Sequence, residues 1–227
     1  MPNYFDIYKQ RVAINGSNEV ESRINATKYI VTKEFKKSPF YKEVIINNEV
    51  IDVRMVDGKN SNVYGNDYIQ KQLLFLPDTK VDIGEAVYIA NEVWLIVDFN
   101  NYEIFPIASI QLCNETLKWK INTSIYEYPC IITKSSLMFD LKNEKYEFNL
   151  PDGNLYLYVQ KNEYTKEIIP LMRFILGSQV YEILGVDDLT NYNLIKFTIN
   201  LTTKNSNDDF VNKIANNVVK EAGDTLW

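Results

Sequence analysis

Apolar and polar residues alternate along most of the chain after residue 40, which is the pattern of half-buried β-strands. The clearest stretch is 81–100, VDIGEAVYIANEVWLIVDFN, in which two apolar runs flank Ala90-Asn91-Glu92 and predict a β-hairpin. Further alternating runs, separated by Asn, Gly, Asp or Pro, predict antiparallel strands up to residue 202. Long helical patterns between strands are missing, so a βαβ fold is not expected. We therefore predict a mainly β protein with an antiparallel barrel or sandwich core, built either as one unit or as two small β units.

The two ends of the chain follow different patterns. Residues 1–40 carry apolar residues at helical spacing until Ser38-Pro39, which predicts a helical arm that either caps the β core or docks on a neighbouring subunit. After residue 203 the chain is polar, and Asp208-Asp209 is expected to begin a short helix.

The strongest turn signal, Pro151-Asp152-Gly153-Asn154, suggests a boundary near residue 150. The predicted organisation is a helical N-terminal arm (1–40), a first β-barrel-like unit (41–150), a second β unit or continuation of the sheet (151–202), and a polar C-terminal arm (203–227).

An internal similarity supports two β units. Val81–Asn101 can be laid over Ile168–Asp188 with a shift of 87 residues, and five apolar positions then agree. The turn Ala90-Asn91-Glu92 falls on Gly177-Ser178-Gln179. Two related units are one explanation, and chance likeness between two amphipathic hairpins is the other.

Composition excludes most catalytic chemistry. The chain has no histidine, so Ser-His and Cys-His relays and histidine metal sites are impossible. Two cysteines alone do not form a tetrahedral zinc site, and no Gly-rich phosphate loop is present. The net charge of −6 argues against general nucleic-acid binding. We expect no enzyme activity, no catalytic residue, no metal and no cofactor.

The residues that could carry chemistry have simpler explanations. A carboxylate pair can bind a hard cation or serve glycoside cleavage, but Asp187-Asp188 is interpreted as turn residues and Asp208-Asp209 as a helix cap. Cys113 and Cys130 are expected to be reduced thiols. The remaining candidates are the basic run Lys33–Lys37, expected on a solvated helix face, the expected core residues Trp94 and Trp119, and Trp227, the best candidate for an exposed aromatic residue. No apolar run long enough for a transmembrane helix and no signal peptide are found, so synthesis in a cytoplasm is expected.

Three segments resemble structural proteins of tailed phages of Gram-positive bacteria, namely the head closure or stopper protein of the head–tail connector (neck). The first has an acidic-x-Gly motif followed by an apolar hairpin with a Trp, the second is CNETLKW, and the third is RFI followed by Tyr and Ile. The matching residues are Asp82, Gly84, Val87, Ile89 and Trp94; Cys113, Asn114, Leu117 and Trp119; and Arg173, Phe174, Ile175, Tyr181 and Ile183. The likeness covers about residues 68–201 of a chain that is about twice the size of a small stopper protein.

The resemblance implies a virion protein of the neck that forms a homo-oligomeric ring, 6- or 12-fold. Its partners would be a portal or adaptor protein on the head side and a tail terminator or tail tube protein on the tail side. DNA would pass through the lumen without specific binding, and no membrane would be involved. The alternative is a monomeric or trimeric β-sandwich of the tail or baseplate that binds host-surface carbohydrate.

Overall fold

The computed structural model describes residues 18–57, 70–101, 104–121, 123–134 and 154–217, together with Tyr4, Phe5, Tyr8 and Gly16. This part of the chain contains helix α1, Glu19–Glu34, followed by a 3₁₀ turn at Phe35–Lys37. It also contains the strands β1 Tyr41–Ile46, β2 Glu49–Asp57, β3 Gln70–Phe75, β4 Ala86–Ile89, β5 Glu92–Asn100, β6 Ile107–Leu112, β7 Glu115–Ile121, β8 Ser124–Thr133, β9 Leu155–Gln160, β10 Arg173–Leu176, β11 Gln179–Asp187 and β12 Leu194–Thr202. The mainly β fold class is therefore confirmed.

Strands β1–β6 form a closed antiparallel barrel in the order β1-β2-β3-β6-β5-β4, which we call the first barrel. A ladder between β1 and β4, at Ile45↔Tyr88 and Ile46↔Val87, closes it. Alternate residues of the strands point inward, as the sequence pattern predicted. The interior holds Val44, Ile46, Val53, Leu73, Phe75, Val81, Val87, Ile89, Trp94, Ile96, Ala108 and Ile110.

Strands β7–β12 form a second antiparallel sheet, in the order β7-β8-β9-β12-β11-β10. This order is that of the first barrel, with each strand replaced by its counterpart six strands later. Its core contains Leu117, Trp119, Cys130, Leu157, Val159, Ile168, Phe174, Leu176, Ile183, Ile195, Phe197 and Ile199. Among the described residues no ladder joins β7 to β10, although the Trp119 and Phe174 rings meet edge to face at 6.3 Å.

The hairpin predicted at 81–100 and its counterpart at 168–188 have the same strand lengths and the same turn length. Strands β4 and β10 are four residues long, β5 and β11 are nine, and two-residue turns join them. Each hairpin ends in a strand with a register shift, between Ile96 and Asp98 in one and between Ile183 and Gly185 in the other. The similarity found in the sequence therefore belongs to a larger correspondence, in which each of the six strands of one unit has a counterpart in the other.

Two sequence predictions differ from the structure. The sheets change at Cys113-Asn114, whereas the predicted boundary lay near residue 150, so β7 and β8 belong to the second sheet. The alternating pattern of a strand is the same in either sheet, and it could not assign these two strands. Residues 135–153, which hold most of the expected boundary turn, lie outside the described residues.

The second difference is at the C-terminal arm, because the expected helix beginning at Asp208-Asp209 is wrong for the residues described there. Residues 203–217 form turns and one isolated bridge, Asp209↔Ile214. The side chain of Asp209 accepts hydrogen bonds from the backbone N–H groups of Val211 and Asn212, both at 3.0 Å, which closes a tight turn instead of a helix.

The predicted N-terminal helix is present as α1. Its first turn is capped by Asn18, whose side-chain oxygen accepts a hydrogen bond from the Glu21 N–H at 2.9 Å. No helix in the described part of the chain is long and apolar enough to cross a membrane.

Candidate interaction surfaces

The first barrel and the second sheet pack against each other through an apolar cluster. Leu95 and Val97 of β5 contact Ile131, Tyr158 and Leu194 of the second sheet, and all five are buried. This contact removes apolar surface from water, which favours one fixed arrangement of the two units.

Gly84, from the acidic-x-Gly motif, lies in the contact between the two units, beside Asn193 in the loop before β12. A Cβ atom on Gly84 would lie 2.3 Å from the carbonyl oxygen of Asn193, and the φ angle of Gly84 is +87°. The close approach of the Asn193 carbonyl requires the missing side chain, and the left-handed backbone also favours glycine here. The motif therefore has a structural role in the contact between the units.

The linker between the units is short and hydrogen-bonded on both sides. The Cys113 N–H donates to the Val93 carbonyl of β5 at 2.9 Å. The Asn114 side chain donates to the Ile132 carbonyl and accepts from the Ile132 N–H, both at 2.8 Å. The Asn of the CNETLKW motif thus extends the β7–β8 ladder by one side-chain pair. A linker held in this way leaves the two units little freedom to rotate.

The C-terminal segment 203–217, which we call the strap, is anchored to the second sheet by Arg173 of β10. The guanidinium donates to both carboxylate oxygens of Asp208, with Nη1 at 3.0 Å and Nη2 at 2.8 Å. It also donates to the carbonyls of Thr203 at 2.7 Å and Asn216 at 3.2 Å. The Asp208 side chain is fully buried. A paired arrangement of this kind is among the stronger polar contacts in proteins.

The electrostatic environment keeps Asp208 ionised. Burial alone would raise its pKa, but the N–H groups of Asn205 and Asn216 and the Arg173 guanidinium together hold the pKa below its usual value. The sequence had assigned Asp208 to a helix cap and Arg173 to a motif of unknown role, and the structure brings the two together.

A second anchor joins the strap to β7. Lys213 Nζ lies 2.9 Å from Glu115 Oε1, and Glu115 Oε2 accepts a hydrogen bond from the Gly177 N–H in the β10–β11 turn at 2.9 Å. Ala215 of the strap packs on Ile175 and Val180. The strap therefore bridges the seam between β7 and β10 that no ladder closes.

The first barrel has an exposed apolar stripe on its outer face. Val50, Ile45, Tyr88 and Val93 lie directly opposite one another on β2, β1, β4 and β5. Val50 is 66% exposed, Ile45 44% and Tyr88 46%, while Val93 is half-buried. We call these four residues the stripe. Apolar residues that adjoin on a sheet surface, in contrast to scattered ones, indicate an interaction site.

Helix α1 has none of its residues buried. It contacts the first barrel through its C-terminal half, where Lys28 Nζ lies 3.7 Å from Asp78 Oδ1. At its end, Arg54 donates to the carbonyls of Glu34 at 2.7 Å and Phe35 at 3.1 Å and lies over the Phe35 ring. Tyr29 and Ile30 remain 67% and 61% exposed. A helix in water derives most of its stability from burying an apolar face, and α1 has no such buried face among the described residues.

The tryptophans that the sequence assigned to the core are buried. Trp94 is part of the core of the first barrel, with Lys71 over its ring at 5.5 Å. Trp119 lies between Tyr126 and Tyr128, with both ring distances at 5.6 Å. Neither ring is available to stack on a sugar. Trp227 lies outside the described residues.

The remaining candidates from the sequence occupy turns or helix surface. Asp187 accepts hydrogen bonds from the N–H groups of Leu189 at 3.2 Å and Thr190 at 3.0 Å, and Asp188 lies 3.4 Å from Lys161 Nζ. The N–H of Thr190 is the main reason that the pKa of Asp187 lies below its usual value. The run Lys33–Lys37 is solvent-exposed except for Phe35.

The described part of the chain holds no group of three or more Cys, Asp or Glu side chains placed to bind a metal ion. Cys113 and Cys130 are both free thiols. Burial raises the pKa of Cys113 to about 12 and that of Cys130 well above its ordinary value, so both thiols are protonated at neutral pH. Thiolate chemistry is therefore not expected from either cysteine.

Part of the chain is similar to a known protein family. Residues 115–200 are similar to the YomX C-terminal domain, a family whose name is associated with Bacillus phages. The matched segment begins at the first residue of β7 and ends within β12, so it corresponds to the second sheet. No curated protein and no solved structure matches the chain. The resemblance to a phage protein is thus supported at the level of a phage-associated domain.

The sequence predictions did not include the stripe or the strap anchor. Val44, Ile45 and Ile46 are consecutive apolar residues, so the sequence does not show that the middle one faces solvent. The signal for the strap was the isolated Arg173 in an otherwise apolar strand, because a lone cation there needs a partner.

Proposed function

We propose that this protein is a virion structural protein that forms an oligomeric ring in the head–tail connector of a tailed phage. The observation that carries the proposal is helix α1, which contacts the first barrel through its C-terminal half and leaves Val20, Tyr29 and Ile30 exposed. A subunit arm of this kind gains its stabilising contacts from a neighbouring subunit. The similarity of residues 115–200 to a phage-associated domain supports a phage origin.

The construction of the two units suits a building block. Two sheets with the same strand order are joined by a two-residue linker and packed through a buried cluster, so they move as one body. Rigid subunits with exposed arms lose little conformational entropy when they assemble. No catalytic role is part of the proposal.

The charge of the chain is compatible with a channel for DNA. Each copy carries a net charge of −6, and a ring with acidic residues toward its lumen repels the phosphates of passing DNA. The proposed neighbours are a portal or adaptor protein on the head side and a tail terminator or tail tube protein on the tail side.

The test is native mass spectrometry and electron microscopy of the full-length chain, alone and mixed with the portal and tail tube proteins of the same phage. A closed ring, or a complex that caps the portal, is the expected result. A chain that remains monomeric at all concentrations and binds neither protein would refute the proposal.

The carbohydrate-binding alternative has a separate outcome in the same experiment. A monomer or trimer that binds host cell-wall glycan would favour it. Trp94 and Trp119 are buried in the two cores, as the sequence predicted, and Trp227, the candidate for an exposed aromatic platform, lies outside the described residues.

A further inference from the structure

The stripe of the first barrel has an equivalent in the second sheet, because the strand pairings can be matched around both units. Following each ladder in turn places β1 on β7, β2 on β8, β4 on β10 and β5 on β11. The cross-strand pairs that then correspond are Ile45↔Val50 with Lys118↔Glu127, and Tyr88↔Val93 with Ile175↔Val180.

The equivalent positions in the second sheet are not exposed apolar surface. Ile175 and Val180 are buried beneath Ala215 of the strap. Lys118 and Glu127 form an ion pair, with Nζ 2.6 Å from Oε1. In the second sheet, one of the two residue pairs equivalent to the stripe is thus covered by the strap, and the other is a polar ion pair.

Among the described residues no strap covers the first barrel in this way, because β6 leads directly through Cys113-Asn114 into β7. Its stripe also adjoins an interface that already exists. Ala86, two residues before Tyr88, and Leu95, two residues after Val93, pack against the second sheet. The exposed stripe is therefore an apolar surface that continues a buried one and that no other described residue covers.

Charge indicates the occupant. Exposed Glu43, Glu49 and Glu92 surround the stripe, and residues 41–112 hold five Lys/Arg against eleven Asp/Glu, a net charge of −6. Residues 1–40 hold seven Lys/Arg against four Asp/Glu, a net charge of +3. On α1, Lys33 follows the exposed Ile30 by three residues, so a cation and an apolar side chain share one face. Helix α1 itself is neutral, with three Lys/Arg against three Asp/Glu, so the complementarity is local: the exposed Ile30 with Lys33 beside it matches an apolar stripe with an acidic rim.

We propose that helix α1 of one copy docks on the stripe of a second copy. The inference rests on the proposed ring and names its contact. Each copy then offers one helix and receives one, which is a head-to-tail contact that closes into a ring when the rotation between copies allows it.

The first test places the ion pair of the second sheet at the equivalent positions of the first barrel. The double variant Ile45→Lys, Val50→Glu introduces the pair found at positions 118 and 127, which is compatible with this fold. Its circular dichroism and melting temperature are expected to match those of the wild type. Its self-association, followed by analytical ultracentrifugation, is expected to weaken at least about tenfold, because each apolar contact is replaced by a charge that must be desolvated.

The matched control is Leu189→Lys, Val211→Glu, which makes the same chemical change at side chains 90% and 93% exposed and outside the stripe. It is expected to assemble like the wild type. A second measurement locates the partner surface. Full-length chains carrying Ile30→Cys are mixed with full-length chains carrying Ile45→Cys and treated with a short bismaleimide. Covalent dimers are expected in the mixture and at background level with wild-type chains, whose two thiols are buried or protonated.

The outcomes separate this inference from the proposed ring. If the Ile45→Lys, Val50→Glu variant assembles as tightly as the wild type, or if the mixture gives no covalent dimer, the docking contact is wrong while the ring stands. If the wild type does not assemble at all, both fall. Loss of assembly in this variant alone, together with the mixed covalent dimer, supports the contact.

Discussion

Replacing Gly84 with alanine should destabilise the protein through the contact between its two units. The new Cβ would lie 2.3 Å from the Asn193 carbonyl oxygen, far inside van der Waals distance, in a place where the surrounding cluster is packed. The added methyl group overpacks this site, and the backbone shift that relieves the clash lowers the free energy of unfolding by about 1–3 kcal/mol. A residue with a Cβ in the left-handed region adds about 1–2 kcal/mol. The expected loss is therefore about 2–5 kcal/mol in the free energy of unfolding.

The internal repeat supplies the control for this prediction. Leu171 stands at the position equivalent to Gly84 and has a similar backbone, with a φ angle of +71°. Its N–H donates to the Ile183 carbonyl at 2.8 Å, as that of Gly84 donates to Ile96 at 2.7 Å. Leu171 is largely exposed, so Leu171→Ala keeps the backbone and removes little packing. It should change stability by less than about 0.5 kcal/mol.

The measurement is equilibrium urea unfolding followed by both circular dichroism and tryptophan fluorescence. Trp94 reports on the first barrel and Trp119 on the second sheet, so a variant that uncouples the units should broaden or split the fluorescence transition. If Gly84→Ala is as stable as the wild type, or if Leu171→Ala is equally destabilised, the close approach at Asn193 does not constrain the fold and the reasoning is refuted.

Three further predictions concern the strap and the thiols. Asp208→Asn should leave the Arg173 charge uncompensated and lower the free energy of unfolding by about 3 kcal/mol. This is the low end for a broken buried pair, because the guanidinium keeps its bonds to the Thr203 and Asn216 carbonyls and can still donate to the amide oxygen. Limited proteolysis within the strap should accelerate, and unchanged cleavage would contradict the anchor. Asp208 and Glu115 both have a lowered pKa in the folded protein, so the stability that they contribute is complete at neutral pH. This stability is lost as the pH falls below about 4, the pKa of these carboxyls in the unfolded chain. The rate of strap cleavage should therefore rise below about pH 4, and a constant rate between about pH 7 and pH 3 would contradict the prediction. Cys113 and Cys130 should react slowly with a thiol reagent at pH 8 and rapidly in urea, whereas fast labelling of the native protein would refute their burial.

The sequence predicted the strands better than their grouping. Alternation identified the β4–β5 and β10–β11 hairpins, and their likeness at one shift of 87 residues was visible because the two hairpins have equal lengths. The shift does not persist along the chain. Ile110 pairs with Ile96, and Ile199 pairs with Ile183, so the next strand is displaced by 89 residues instead. A comparison at one fixed shift therefore finds one hairpin, although six strands correspond.

The interaction surfaces depended on information that the sequence does not contain. Whether Ile45 or its neighbours face solvent is decided by the closure of the barrel through β1 and β4. The partner of Arg173 lies 35 residues further along, in a segment whose acidic pair also fits a helix cap. Local patterns specify local structure, while these contacts are set by which strands meet.

If the chain assembles, the differences between the outer surfaces of the two units would determine where a neighbouring copy docks. With equal stripes on both units, a helix from a neighbouring copy would have two places to dock, and assemblies of mixed geometry would follow. The strap and the Lys118–Glu127 pair remove one of these places: a helix arriving there would have to displace Ala215 and desolvate an ion pair. Specificity of this kind comes from making the wrong site unfavourable as well as the right one favourable. Restoring the second stripe with Lys118→Ile, Glu127→Val, in a chain weakened at the strap by Asp208→Asn, should therefore broaden the distribution of assembly sizes in native mass spectra. An unchanged single species would show that the strap does not contribute to the choice of contact.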